Sequence, residues 1–141
     1  MEALKALAFS VAVLLAACST AVPYTAGKSP TSPQKFVERV LYEQATDTPP
    51  EAVRVSQDFF EVVGGSVTSV NRITRRETTH REVTRVYYRS IAKLSLYQKR
   101  GAWYVVPEAA DGRELATVVT SSESDAKQFI DALVALKAQA S

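Results

Sequence analysis

Few side chains in this sequence are equipped for chemistry. It has one cysteine, Cys18, and one histidine, His80, among 141 residues. A cysteine thiol can serve as a nucleophile, a metal ligand or an attachment point, and it reacts as the thiolate. A metal site at Cys18 would need partner ligands. His80 stands alone within "RRETTHRE" and reads as a solvated strand or loop position. A single thiol cannot close an intramolecular disulfide. Ser66 follows Gly64-Gly65 with no base near it in sequence, so it reads as a turn residue. No G-x-S-x-G elbow, phosphate loop or H-E-x-x-H helix occurs. The expectation is a non-enzymatic protein with no catalytic residue, no metal site and no cofactor. A carboxylate pair assembled from distant positions stays open.

The surroundings of Cys18 decide among its chemistries. Lys5 is followed by an apolar stretch, Ala6 to Phe9 and then Val11 to Ala17, broken by one serine. At about a dozen residues it falls short of the roughly 20 that span a bilayer. It has the length of a signal-peptide h-region ending in small residues. A buried helix, or cleavage by the ordinary signal peptidase, is the alternative. Leu15-Ala16-Ala17-Cys18 resembles the lipobox of bacterial lipoproteins at all four positions. The resemblance implies a diacylglycerol on the Cys18 thiol, cleavage before Cys18 and acylation of the new amine. Serine rather than aspartate follows the cysteine, which implies the periplasmic face of the outer membrane. Two or more acyl chains anchor stably where one holds marginally.

The elements that follow divide the chain into a leader, residues 1–17, a lipid-anchored linker, 18–33, and a globular domain, 34–141. "STAVPYTAGKSPTSP" is rich in Pro, Ser and Thr and reads as an extended, flexible tether. Phe36, Val37, Val40 and Leu41 line one face of a short helix that "TPP" ends. Val53 and Val55 open a strand with a bulge expected near Phe59-Phe60, and Gly64-Gly65 signals a hairpin. "SVTSVNRITRRETTH", "EVTRVYYRS", "IAKLSLYQK", "AWYVVPE" and "RELATVVT" read as further strands, with turns at Arg100-Gly101 and in "AADG". That makes six short strands, the pattern of a sandwich or small barrel. The chain closes on a helix with an apolar stripe of Ala126, Phe129, Ile130, Leu133, Val134 and Leu136. Ser122 or Thr120 caps it, with Asp125 or Glu123 three residues on.

An antiparallel β array closed by one amphipathic helix is an α+β pattern. From residue 88 to 136 it resembles bacterial pleckstrin-homology-like (PH-like) domains, with weaker support over 52–87. The resemblance rests on the isoleucine after the Tyr-rich strand, Ile91, and on the Phe129-to-Leu133 stripe. It implies a barrel or sandwich of six or seven strands with a C-terminal helix. The family's phosphoinositide-binding basic cluster is missing around Gly64-Gly65, so inositol-lipid binding is not implied.

Charge is the remaining lead. The whole chain carries only +2, but residues 71–100 hold nine Lys/Arg against two acids, while 34–70 and 101–141 are both net acidic. If the strands pair in register, Arg72, Arg76, Arg81, Arg85 and Arg89 form a basic face that attracts anions. Tyr87, Tyr88, Tyr97, Trp103 and Tyr104 interleave with these charges. In an exported protein the expected partner is anionic phospholipid, lipopolysaccharide or an envelope protein, not nucleic acid. A solvated face and cross-strand aromatic packing are the plainer alternatives. A small-ligand carrier or a hydrolase using an apolar barrel interior is the other functional reading.

Overall fold

The computed structural model describes residues 19–140 apart from 47, 71, 72 and 76. The leader, Cys18, Arg72 and Arg76 lie outside the described residues. The element order is β1 (Thr20–Ala21), α1 (Pro33–Tyr42), β2 (Ala52–Val55), β3 (Phe59–Val70), β4 (Glu77–Tyr87), a 3-10 turn (Tyr88–Ser90), β5 (Lys93–Lys99), β6 (Ala102–Glu108), β7 (Val118–Thr120) and α2 (Glu123–Ala140). The expected α+β class holds. The strands form two antiparallel sheets, ordered β1-β5-β6-β7 and β2-β3-β4. Neither sheet closes, so of the expected barrel or sandwich the arrangement is the sandwich-like one. The reason lies at the 3-10 turn, where the chain leaves one sheet and starts the other. Helices, rather than further strand pairing, fill the space between.

Both described helices form where the sequence places them. Pro33 opens α1, where its missing N–H costs nothing. Val37, Val40 and Leu41 are buried and Phe36 packs beside them. The Ser122 hydroxyl accepts the Asp125 N–H at 3.2 Å and caps α2. Glu123 and Asp125 lie in its first turn and Lys137 in its last, complementing the helix dipole. Ala126, Phe129, Ile130, Leu133 and Leu136 are buried, whereas Val134 is 43% exposed at the edge of the expected stripe. α2 packs on β6, β7 and the 3-10 turn, and α1 packs on α2 and β2. The core therefore takes Phe60 and Val86 from one sheet, Leu96, Val105 and Val118 from the other, and the apolar faces of both helices.

Several strand boundaries differ from expectation. The first hairpin turns at Ser56–Asp58, not at the diglycine. The Ser56 N–H reaches the Phe59 carbonyl at 2.8 Å, and its hydroxyl accepts the N–H groups of Asp58 and Phe59. Phe59 and Phe60 pair regularly with Tyr87 and Val86, so no bulge falls there. The register shifts between Val63 and Ser66 instead, making Gly64-Gly65 a bulge inside a continuous strand. At Gly64 a Cβ would lie 3.4 Å from the Glu82 carbonyl oxygen, an ordinary contact distance. Consequently "SVTSVNRITRRETTH" is not one strand: it supplies the end of β3 and the start of β4. "RELATVVT" yields only the three residues of β7, plus a bridge from Glu114 to Glu108.

The stretch read as a free tether lies against the domain. β1 pairs antiparallel with the edge of β5, Thr20 with Gln98 and Ala21 with Tyr97. The Val22 N–H continues the ladder to the Leu96 carbonyl at 2.8 Å. Val22, Tyr24 and Ala26 pack against the core, alternating as strand parity requires.

Tyr88 ties the hairpin turn to the core. It is fully buried, and its hydroxyl donates toward the Ser56 and Phe59 carbonyls, each at 3.0 Å. Burial pushes its phenol above the ordinary value of 10.0, and the Asp58 carboxylate adds to the shift. The native state thus keeps a proton that the unfolded chain releases once pH passes about 10. This contribution to stability is complete below that pH and is lost as pH rises through the raised value. Urea midpoints should be flat to about pH 9 and fall above about pH 10. Tyr88→Phe should show a shallower alkaline fall, and an unchanged slope would contradict the assignment.

Candidate functional site

The outer face of the β2-β3-β4 sheet gathers the exposed groups most suited to recognition. Residues directly opposite in antiparallel strands share a face. Phe60 pairs with Val86 on the core side, so the flanking pairs Phe59–Tyr87 and Glu61–Arg85, with Val63–Val83 beyond, belong to the outer face. β2 adds Arg54 opposite Glu61. Val83 is 59% and Tyr87 46% exposed. The Phe59 and Tyr87 rings lie 5.4 Å apart at 59°. Two guanidinium groups flank Phe59, Arg85 at 4.6 Å and Arg54 at 5.0 Å from the ring centroid.

The charge on this face is partly spent inside it. Arg85 Nε donates to Glu61 Oε2 at 2.6 Å, and a terminal nitrogen contacts the same oxygen at 2.5 Å. Its other terminal nitrogen lies 3.4 Å from the Tyr87 hydroxyl. Tyr87 and then Glu61 hold the Arg85 guanidinium above its already high ordinary value, so it stays cationic. The result is an apolar and aromatic surface edged by fixed cations. Stacking, cation–π contact and hydrogen bonding to an acidic group are what such a surface can offer.

Beyond the diglycine bulge the sheet narrows. β2 pairs only with Phe60–Val63, while β3 and β4 stay paired out to Val70 and Glu77. A two-stranded ribbon therefore projects past the sheet. Arg81 sits on it opposite Ser66, and His80 opposite Val67. Ile73, in the connection at its end, is 93% exposed. Of the five arginines expected to form one face, Arg81 and Arg85 thus lie on one strand. Arg89 is displaced into the 3-10 turn beyond it, where its own side chain is exposed. Arg72 and Arg76 lie outside the described residues. The interleaved aromatics separate as well. Tyr88 is core, Trp103 packs against the core, and Tyr97 pairs with Tyr104 on the other sheet.

Sequence reasoning did not single out Phe59, Arg54, Glu61 and Val83 as members of this surface. The signal was the parity of Val83, Arg85 and Tyr87, which only the register of β3 converts into a patch.

A second constellation clasps the N-terminal strap. Asp131, 6% exposed on α2, accepts the Tyr24 hydroxyl at 2.8 and 3.0 Å and the Gly27 N–H at 2.8 Å. Desolvation first, then the hydrogen bond to Asp131, raise the Tyr24 phenol above its ordinary value. The Lys127 ammonium lies 5.6 Å from the Tyr24 ring centroid. These groups satisfy a buried carboxylate that would otherwise be costly to desolvate. Between the strap and α2 runs a groove of about 300 Å³ lined by residues including Tyr24, Ile91, Leu94 and Leu133.

No group of three His, Cys, Asp or Glu among the described residues is placed to hold a metal ion. No family model, curated protein or solved structure matches the chain.

Proposed function

We propose that this chain is a lipoprotein of the bacterial cell envelope. Acyl chains on Cys18 hold it at the periplasmic face of the outer membrane, and its domain works without catalysis as a binding or scaffold module. A PH-like kinship of the domain is part of this reading. It is supported by seven antiparallel strands in two sheets among the described residues and an amphipathic helix toward the C-terminal end.

The observation that carries the binding role is the surface of exposed Tyr87 and Val83 with half-buried Phe59, flanked by Arg54 and Arg85. Tyrosine and arginine are enriched among the residues that dominate interface energies. Arg85 already pairs with Glu61, which favours a protein partner over a purely anionic surface. The carrier or hydrolase alternative needs an open interior. Phe60, Tyr88, Phe129 and Leu133, all fully buried, occupy that space.

A photo-crosslinking residue at Val83, introduced into the full-length chain in its own envelope, should give a defined protein adduct. The same residue at Gln139, exposed near the end of α2, should not. Tyr87→Ala should weaken the interaction by about 2 kcal/mol, or roughly thirtyfold in affinity. Equal crosslinking from both positions, or none from Val83, would remove the binding role from this face.

A further inference from the structure

The strap brings the chain's N-terminal end to one corner of the domain. In the β1–β5 register Thr20 is level with Gln98. Carried one residue further, that register sets Ser19 level with Lys99, at the start of the β5–β6 turn. Only Ser19 separates β1 from Cys18 in the sequence. The clasp of Tyr24 and Gly27 on Asp131 holds the strap a few residues further along. A lipid on Cys18 would therefore lie beside a fixed corner rather than at the end of a loose tether.

That corner carries two cations. Lys99 and Arg100 are exposed, and neither has an ion-pair or side-chain hydrogen-bond partner among the described residues. Arg100 has φ 52° and Gly101 φ 77°. A two-residue hairpin turn with both φ positive favours Asn, Asp or Gly at its first position. Arginine in that left-handed conformation is uncommon, and a strained residue that persists is a pointer to function. If the chain stays extended for one residue before Ser19, at about 3.4 Å per residue, a lipid on Cys18 would come within one Debye length of Lys99, about 8 Å at physiological salt.

We infer that the Lys99-Arg100 turn contacts anionic phospholipid headgroups of the membrane that carries the chain, and that the strap fixes this orientation. The inference rests on the reading of Cys18 as the lipid anchor, and the test separates the two. The full-length chain is expressed in a bacterial host, purified in detergent, checked by intact mass and reconstituted into vesicles. One set is phosphatidylcholine and the other an equal mixture with phosphatidylglycerol, both with a headgroup spin-labelled lipid. Trp103, the chain's one tryptophan, pairs with Gln98 beside the turn and reports proximity by quenching.

Quenching should be stronger on the mixed vesicles. The excess should vanish in Lys99→Gln/Arg100→Gln, and also as salt shortens the Debye length from about 10 Å at 0.1 M to about 3 Å at 1 M. Asp131→Ala, which loosens the strap and keeps both cations, should lose the excess too. An unacylated mature chain would overturn the anchor reading and this inference with it. An acylated chain with equal quenching on both vesicles, or an excess untouched by the double variant, would overturn this inference alone. An excess that survives Asp131→Ala would overturn the role given to the strap.

Discussion

Cys18→Ala is expected to leave the chain without acyl groups and with its leader uncut. There is one thiol in the sequence, so no other residue can take its place. The size of the effect follows from lipid partitioning. One myristoyl-length chain binds a bilayer with a constant of only about 10⁴ M⁻¹, and each further buried CH₂ adds about 0.8 kcal/mol. If Cys18 carries two or three chains, their loss would change membrane retention by many orders of magnitude, far beyond what Lys99 and Arg100 could restore. Intact mass of the wild-type protein decides the matter. A free cysteine, or a mature N-terminus elsewhere, would refute the anchor. The variant should show the precursor mass and no mature outer-membrane form.

Phe129→Ala should cost roughly 3–5 kcal/mol, the range for truncating a buried aromatic. Phe129 is fully buried at the centre of α2, and its ring meets Phe60 edge-on, with centroids 6.3 Å apart at 67°. Phe60 belongs to the β2-β3-β4 sheet and α2 packs on β6 and β7, so the cavity would open where the two sheets and the helix converge. A domain of this size has about 5–15 kcal/mol in total, so much of its stability would go. Val134→Ala on the same helix, at a position 43% exposed, should stay within about 0.5 kcal/mol of wild type. Urea melting of the full-length protein compares the two. A loss below about 1 kcal/mol at Phe129 would make α2 peripheral.

How much of this fold could be read in advance depended on how local each signal was. α1, α2 and the β5–β6 hairpin carry their instructions within a few residues: a proline or serine at the start, an apolar stripe, an Arg-Gly turn. Gly64-Gly65 carries an ambiguous one, because the same freedom serves a hairpin or a bulge. The turn went to Ser56, whose hydroxyl can hold two N–H groups without positive φ. The strap was hidden by its composition. Val22, Tyr24 and Ala26 alternate as a strand should, but Pro23 and Thr25 between them carry the mark of a linker. Asp131 was the other half of that signal, an acid set among the buried residues of α2 and so in need of a partner. The outer-face cluster depends on which residue of β3 meets which residue of β4, and no periodicity within either strand specifies that.

The clasp between Tyr24 and Asp131 joins residues 107 positions apart, and β1 needs β5 as its template. Contacts of such long sequence separation form late, because the loop between them must close first. If the chain is exported N-terminus first, as the proposed anchor implies, the segment around Cys18 would cross the membrane while its docking site is still on the other side. Modifying enzymes would therefore meet an extended substrate, and only the completed domain would reel it in. If Cys18 takes the proposed lipid, the strap then sets an order of events: lipid first, fold second, standoff from the bilayer last.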